Sequence, residues 1–395
     1  MTKGPTTEKE RYVVLDALRG LALLGIALAN FPEFGLWTFM SGEAQQTLPL
    51  SGGDGVVRFI QYWLVDGKFY TIFSILFGIG FSIILSRRSA GLFYRRMAIL
   101  LVIGLLHLLF VWNGDILSLY AVAGMLLPLF TRLSNRALLI VAASLILLPV
   151  GLEAYAEWRG TDFAAPLYEA WWRQANSSGI TEENFASWLH DADSYGGMFE
   201  FLKQGAIERM WEFVSGHRLP KVLGLFLIGY YIGRNRLYAR IDELRKLLRK
   251  GWFWTIVWGL VTSFVYAWSA THGHPWGAAI HAVLYAVSVV PLGVAFILTV
   301  ALWLKPFVWL RLAGRMALTC YIGQSLIGIL LFYGIGFGFG THCSLSVIEI
   351  IAIMAFLSEV MVCSLWLRRF RFGPLEWIWR MLTYGERIAI TKKNH

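Results

Sequence analysis

The sequence predicts an all-α fold, a polytopic transmembrane helical bundle of about ten spans with both termini in the cytoplasm. Three observations carry that prediction. Of 395 residues, 57% are hydrophobic and only 15% charged, with 18 Trp, 16 Tyr and 27 Phe, and the mean hydropathy is +0.58; a soluble chain has about a quarter of its residues charged. The apolar residues gather into ten runs, where ~20 residues cross the hydrocarbon core of a bilayer. The basic residues fall in the short connections between those runs, on alternating sides.

In chain order the runs cover 13–31, 69–85, 97–113, 116–131, 137–156, 219–233, 251–270, 276–304, 316–335 and 345–367. With the N-terminus inside, the inner segments hold 26 of the 35 Lys and Arg, the outer segments seven, and Arg19 and Lys221 fall within spans. Lys3, Lys9 and Arg11, the group Arg87, Arg88, Arg95 and Arg96, and Lys305 all count as inner. The formal net charge of +10 then reads as the positive-inside bias plus attraction to anionic headgroups, with no nucleic-acid partner required. Asp16 and Arg19 interrupt the first run, which argues against a cleaved signal peptide although Ala27-Leu28-Ala29 resembles a cleavage site. Cys320, Cys343 and Cys363 show no paired spacing, and His272-Gly273-His274 has no further ligand in view, so neither a disulfide framework nor a metal site is expected.

Three regions follow: membrane helices in 1–156, an extracytoplasmic segment 157–218, and membrane helices in 219–395. The middle segment carries ten acidic against five basic residues and tryptophans at 158, 171, 172, 188 and 211. It reads either as interfacial helices with an aromatic belt or as a lid over an outward-facing cavity.

Ionisable groups inside a membrane are costly and so imply pairing or function. Asp16 and Arg19 lie three apart on one helix face. Asn30 shares that face, eleven residues and ~16 Å beyond Arg19, which makes a polar stripe from the inner leaflet outward. The same two charges would serve equally as an internal pair that fixes helix packing. His107 stands in wholly apolar surroundings, suited either to general base work or to a structural hydrogen bond. Trp112-Asn113-Gly114-Asp115 then reverses the chain and puts Asp115 where it could orient that imidazole. Lys68 with Phe69 and Tyr70 reads as an interfacial anchor or a cavity residue. Tyr321, Gln324 and Ser325 form a polar face at i, i+3 and i+4, and His281 and Glu359 are further intramembrane ionisables. The alternating Gly334, Gly336, Gly338 and Gly340 lack the setting of a dinucleotide fingerprint and predict irregular backbone.

Arg11-Tyr-Val-Val-Leu-Asp16-Ala-Leu-Arg19-Gly20, Lys68-Phe69, Gly104-Leu-Leu-His107 and Trp112-Asn-Gly-Asp115 resemble the YeiB-like family of bacterial inner-membrane proteins. So do the run from Gly314-Arg315-Met316-Ala317-Leu318-Thr319 to Ser325, with Cys320 in place of the usual Asn, and the closing Gly373-Pro374-Leu375-Glu376-Trp377. The N-terminal Asp-x-x-Arg-Gly pattern further resembles transmembrane acyltransferases: acyltransferase family three and the heparan-glucosaminide N-acetyltransferases.

That resemblance implies acyl-CoA as cytosolic co-substrate, with Asp16, Arg19, Arg95 and Arg96 around its phosphates, and a small-molecule or sugar acceptor at the outer face. Acyltransferase family three carries a histidine where this chain has Asn30. His107, oriented by Asp115, would then be the base, Asn30 the oxyanion donor, and Lys68, Tyr321, Gln324 and His281 the substrate cavity. On this reading His107→Ala loses activity with its fold intact. The alternative is a small-molecule transporter or exporter with an intramembrane ionisable pathway; a third is a non-catalytic receptor with 157–218 as its partner surface. The lipid bilayer of the inner membrane is the expected surrounding, and an oligomer is compatible with the chain.

Overall fold

The computed structural model describes residues 13–87, 89–304 and 307–392. Lys3, Lys9, Arg11, Arg88 and Lys305, used above to orient the chain, lie outside the described residues. The helices are α1 (Val13–Phe34), α2 (Gly42–Thr47), α3 (Asp54–Ile60), α4 (Lys68–Arg87), α5 (Ala90–Phe110), α6 (Leu117–Leu126), α7 (Asn135–Arg159), α8 (Ala165–Ser177), α9 (Phe185–Asp191), α10 (Tyr195–Ser215), α11 (Arg218–Arg234), α12 (Arg245–Thr271), α13 (Ala278–Thr299), α14 (Val308–Arg315), α15 (Ala317–Phe332), α16 (Leu345–Arg369) and α17 (Pro374–Tyr384). Among the described residues the only β-pairing is an isolated bridge between Phe370 and Thr391.

The protein is an all-α, multi-pass membrane protein. All ten apolar runs are helical, but among the described residues seven helices are long and apolar enough to cross a bilayer, or eight if α14 and α15, bent by 87° at their junction, make one span. The other two are the 14-residue stretch Leu117–Phe130 and the 17-residue α11. α11 packs against α4 and α7, and α6 against α5 and α11, with Val122 and Leu129 of the 14-residue stretch left exposed. Large apolar side chains are left exposed along the long helices, among them Leu106 on α5, Ile140 on α7, Val261 on α12, and Met354 and Met361 on α16. That is the outer surface of a protein solvated by lipid tails.

Helix ends follow local chemistry. Ser89, Ser134 and Ser194 cap α5, α7 and α10 by accepting hydrogen bonds from Leu92 N, Ala137 N and Gly197 N. Asp54 does the same for α16 from a distance, its carboxylate accepting from Leu345 N at 2.9 Å and Ser346 N at 3.0 Å. Glu376, in the closing Gly-Pro-Leu-Glu-Trp stretch, caps α15: its Oε1 accepts from Leu318 N at 2.6 Å and Thr319 N at 3.1 Å, and its Oε2 from Thr319 Oγ1 at 2.6 Å. Two stretches far apart in sequence thus form one joint that fixes the 87° corner.

Close helix packing rests on glycine, as in other membrane bundles. A Cβ at Gly229 of α11 would meet the Ile75 carbonyl of α4, and one at Gly78 would meet the Phe226 carbonyl. Gly20 and Gly314 hold α1 against α14 in the same way, facing the carbonyls of Leu310 and Asp16.

Segment 157–218 is α8 to α10 with their turns. Trp171 is 7% exposed and stacks on Trp172 and Trp211, with its indole N–H donating to Gln204. Trp158, by contrast, is 77% exposed. Trp171, Trp172, Trp188 and Trp211 pack into one hydrophobic cluster with Phe31 and Phe34 of α1, Phe332 of α15 and Ile348 of α16. Residues 333–340 are irregular, as the glycines predicted, and fold back on α15 through Phe337 N to Leu330 O at 2.8 Å.

Candidate functional site

The ends of the bundle can be told apart along α5. The Phe110 carbonyl accepts from Tyr195 at 2.8 Å, beside the 157–218 segment, whereas the Arg96 carbonyl accepts from Trp379 of α17 at 3.1 Å. Fourteen residues, ~21 Å of helix, separate the two.

A cavity of about 520 Å³ opens toward the 157–218 end, inside the ~300–1,000 Å³ range of ligand sites. Its walls come from α1 (Gly25, Asn30, Glu33), the Tyr62–Tyr70 stretch, the loop after α5, α7 (Glu153), α11 (Arg218, Lys221), α12 and α13 (Tyr266, His281, Tyr285) and α15 (Tyr321). A vestibule shares Glu153, Ser215, His217 and Ala278 with it. At the other end a pocket of about 130 Å³ is lined by Arg19, Arg96 and the aromatic rings of α4 and α5. Phe73 of α4 lines both spaces.

A break in the chain after α3 admits polar groups. A π-helical turn, Gln61–Val65, is followed by Gly67 at φ +73°, a left-handed conformation that glycine adopts without strain. The turn delivers Asp66 into the cavity, where it accepts a hydrogen bond from Tyr266. Lys68 is fully buried, not an interfacial anchor: its Nζ donates to the Tyr62 carbonyl at 2.6 Å and lies 4.8 Å from the Tyr266 ring. It sits behind the cavity wall.

His107, Asp115 and Ser325 form one chain of hydrogen bonds. Asp115 Oδ1 lies 3.1 Å from His107 Nδ1, and Ser325 Oγ 3.0 Å from His107 Nε2. Asp115 Oδ2 accepts from Ser118 N at 2.8 Å. All three residues are at most 2% exposed and none lines the cavity. Tyr321 stands between, its ring 5.3 Å from His107 and its hydroxyl donating to the Gly114 carbonyl at 3.3 Å.

The whole loop from Trp112 to Asp115 is buried, so the reversal lies under α10 and not at a free surface. Asn113 donates to Glu208 at 3.0 Å, and Arg209 Nε donates to the Asn113 carbonyl at 2.7 Å. Arg209 also pairs with Glu212 and lies 4.0 Å from Glu33. Burial, reinforced by Glu212, holds the Glu208 carboxyl up at about 8.

Because its folded value exceeds the unfolded one, Glu208 binds its proton more tightly in the folded state between about pH 4.5 and 8. Its contribution to stability is complete below that window and is lost as pH rises through it. Glu208→Gln should therefore gain on the parent protein in thermal stability between pH 5 and 8.5; a constant difference across that range would refute the assignment.

The other predicted positions separate. Asp16 pairs with Arg19 at 2.8 Å and is buried, and Arg19 and Arg96 share the small pocket while Arg95 is exposed beside Gly385. Asn30, Tyr321 and His281 line the large cavity. Gln324 is buried away from it, donating to the Leu23 carbonyl at 3.3 Å and to Glu359 at 3.0 Å. His281 lies 3.9 Å, ring to ring, from His274, and its Nδ1 has no partner among the described residues.

Glu33, Asp66, Glu153, His217 and Arg218 are cavity residues that sequence reasoning missed. The available signal was a charge within one turn of an apolar run's boundary, as at Arg218 and Lys221, which are three apart.

The C-terminal region, residues 232–386, matches the family described as "Protein of unknown function (DUF418)". Over nearly its whole length the chain is similar to two bacterial proteins. One is the uncharacterized protein YxaH of Bacillus subtilis, 29% identical over 99% of this chain and 98% of that one. The other is the uncharacterized protein YeiB of Escherichia coli, 28% identical over 95% and 96%. These similarities support the resemblance of the chain to the YeiB-like family. The matched region contains α12 to α17, including the Glu376–Thr319 joint and the wall of His281, Tyr285 and Tyr321. No solved structure matches the chain.

Proposed function

We propose that the protein is an inner-membrane acyltransferase, passing an acyl group from a CoA thioester at the Arg19 and Arg96 end to an acceptor held in the large cavity. The observation that supports this reading is Phe73: one side chain lines both the arginine pocket and the cavity. The resemblance of the Asp16-x-x-Arg19-Gly20 stretch to transmembrane acyltransferases supports it from the sequence. The 130 Å³ pocket is too small for a whole nucleotide and suits the acyl end of the thioester.

In the reaction an acceptor hydroxyl or amine attacks the thioester carbonyl. A C–O or C–N bond forms, the C–S bond breaks, the nucleophile's proton passes to a base and the CoA thiolate leaves and is protonated. Asn30, on the cavity wall, is placed to steady the carbonyl oxygen. Among the described residues the histidines that line the cavity are His217, whose Nε2 lies 2.8 Å from Glu153, His274 and His281. His107 keeps both ring nitrogens occupied and serves here as a positioning residue behind Tyr321.

Thermal unfolding of the detergent-solubilised protein with acetyl-CoA tests the reading, since a ligand at a hundredfold excess over Kd stabilises by about 2.7 kcal/mol. A saturable shift that Arg19→Ala abolishes is expected. Phe73→Trp should keep that shift and slow acetyl transfer at least roughly tenfold, as narrowing the passage misplaces the reacting atoms. Absence of any shift in the parent protein would refute acyl transfer. The second reading, solute transport, rests on the same side chain, because a single ring between two spaces also describes a gate. It predicts solute accumulation in proteoliposomes without covalent change.

A further inference from the structure

We propose that Arg218 and Lys221 form an anion site in the large cavity that receives the phosphoryl group of its ligand. The proposal rests on the cavity being a ligand site, as above, but not on acyl transfer. Both residues line the cavity and lie three apart at the start of α11, on one face.

The hydrogen bonds of the acids near them are made elsewhere, although Asp66, Glu153 and Glu212 still act on the two cations electrostatically. Glu153 holds His217 at 2.8 Å, Asp66 accepts from Tyr266, and Glu33 and Glu212 face Arg209. Within the described residues neither Arg218 nor Lys221 has an ion-pair partner within 4.0 Å; Lys221 Nζ rests 4.1 Å from the Tyr285 ring and the Arg218 guanidinium 5.8 Å from that of Tyr70. Aromatic faces hold the two cations extended toward the space without neutralising them.

The helix end adds to them. α11 has no side-chain cap: its N-cap residue, His217, is left-handed at φ 45° and spends its imidazole on Glu153. The positive end of the helix dipole lies at the same place, since Gly216, His217, Arg218 and Lys221 all line the cavity, while Pro220 has no N–H to offer. Two fixed cations and a helix N-terminus match the ~1.5 to 2 negative charges of a phosphate monoester; a carboxylate would leave one cation unpaired. A cavity of about 520 Å³ leaves room for a sugar or glycerol moiety beside the phosphate.

The test uses the full chain in detergent, titrated with glycerol 3-phosphate or inorganic phosphate and followed by thermal unfolding against sodium chloride of equal ionic strength. Saturable stabilisation is expected, with apparent affinity at least roughly tenfold weaker in Lys221→Gln and in Arg218→Gln. Lys221→Arg should retain it, which separates charge from folding. A second arm extracts the protein from vesicles containing phosphatidic acid, whose headgroup is a phosphate monoester, and counts retained lipid by native mass spectrometry.

Lipid held by the parent protein and lost in Lys221→Gln identifies a headgroup as the source, and a response to the soluble ester alone identifies a free phosphate. A shift no larger than that of chloride, together with lipid retention indifferent to both substitutions, overturns the proposal. Acyl-CoA is absent from both arms, so failure here leaves acyl transfer standing, and the reverse holds for the acetyl-CoA experiment.

Discussion

Gly229→Ala is expected to destabilise the protein by about 3 kcal/mol, the upper end of what overpacking a tight core costs. In an isolated helix the same change would stabilise by roughly 0.5 to 1 kcal/mol, because glycine loses more backbone freedom on folding. Packing wins here: the new methyl would fall on the Ile75 carbonyl, backbone against backbone, where no side chain can turn aside. The neighbouring Gly78 already sits against the Phe226 carbonyl, so α4 cannot retreat without losing the whole contact. Gly151→Ala in α7 is the control. Nothing lies within 4 Å of a Cβ there, and the substitution should leave stability unchanged or raise it slightly. Thermal unfolding of both variants in one detergent measures the contrast, and equal midpoints would show that α4 and α11 are not held this closely.

His107→Ala is expected to destabilise by about 3 kcal/mol or more, the cost of removing one member of a buried, hydrogen-bonded pair. Asp115 would keep only Ser118 N as a partner, and Ser325 would lose its imidazole. The substitution also empties volume behind Tyr321, which adds to the cost. A cycle with Asp115→Asn and the double variant should give a coupling energy well above the ~0.5 kcal/mol seen for independent sites. The opposite result is equally clear in meaning. If His107→Ala unfolds at the parent temperature yet has no transferase activity, the imidazole is the base, and the closed network is a resting arrangement that opens to the cavity.

The pairing of His107 with Asp115 was legible in the sequence because a short loop leaves the end of one helix and the start of the next little choice of distance. Ser325 was visible as part of a polar face with Tyr321 and Gln324, but not as a partner of His107, since 218 residues separate the two. The stripe from Arg19 to Asn30 was also legible from helical spacing. Its division into two spaces was not, because the divider, Phe73, is an apolar residue in an apolar run and carries no signal of its own.

Composition and periodicity by themselves determined that the chain is helical and crosses a membrane, for a physical reason that needs no partner: in lipid each helix satisfies its own backbone hydrogen bonds. Everything that depends on which helix lies beside which was decided by the tertiary structure. It set the lengths of the helices, with α6 and α11 kept short and packed against longer neighbours. It also set the corner between α14 and α15, which requires Glu376 from 57 residues beyond Thr319. Above all it decided which charges meet a partner. The sequence shows Arg209, Arg218 and Lys221 as three similar cations near one membrane face; packing against Glu33 and Glu212 engages the first and leaves the other two facing the cavity.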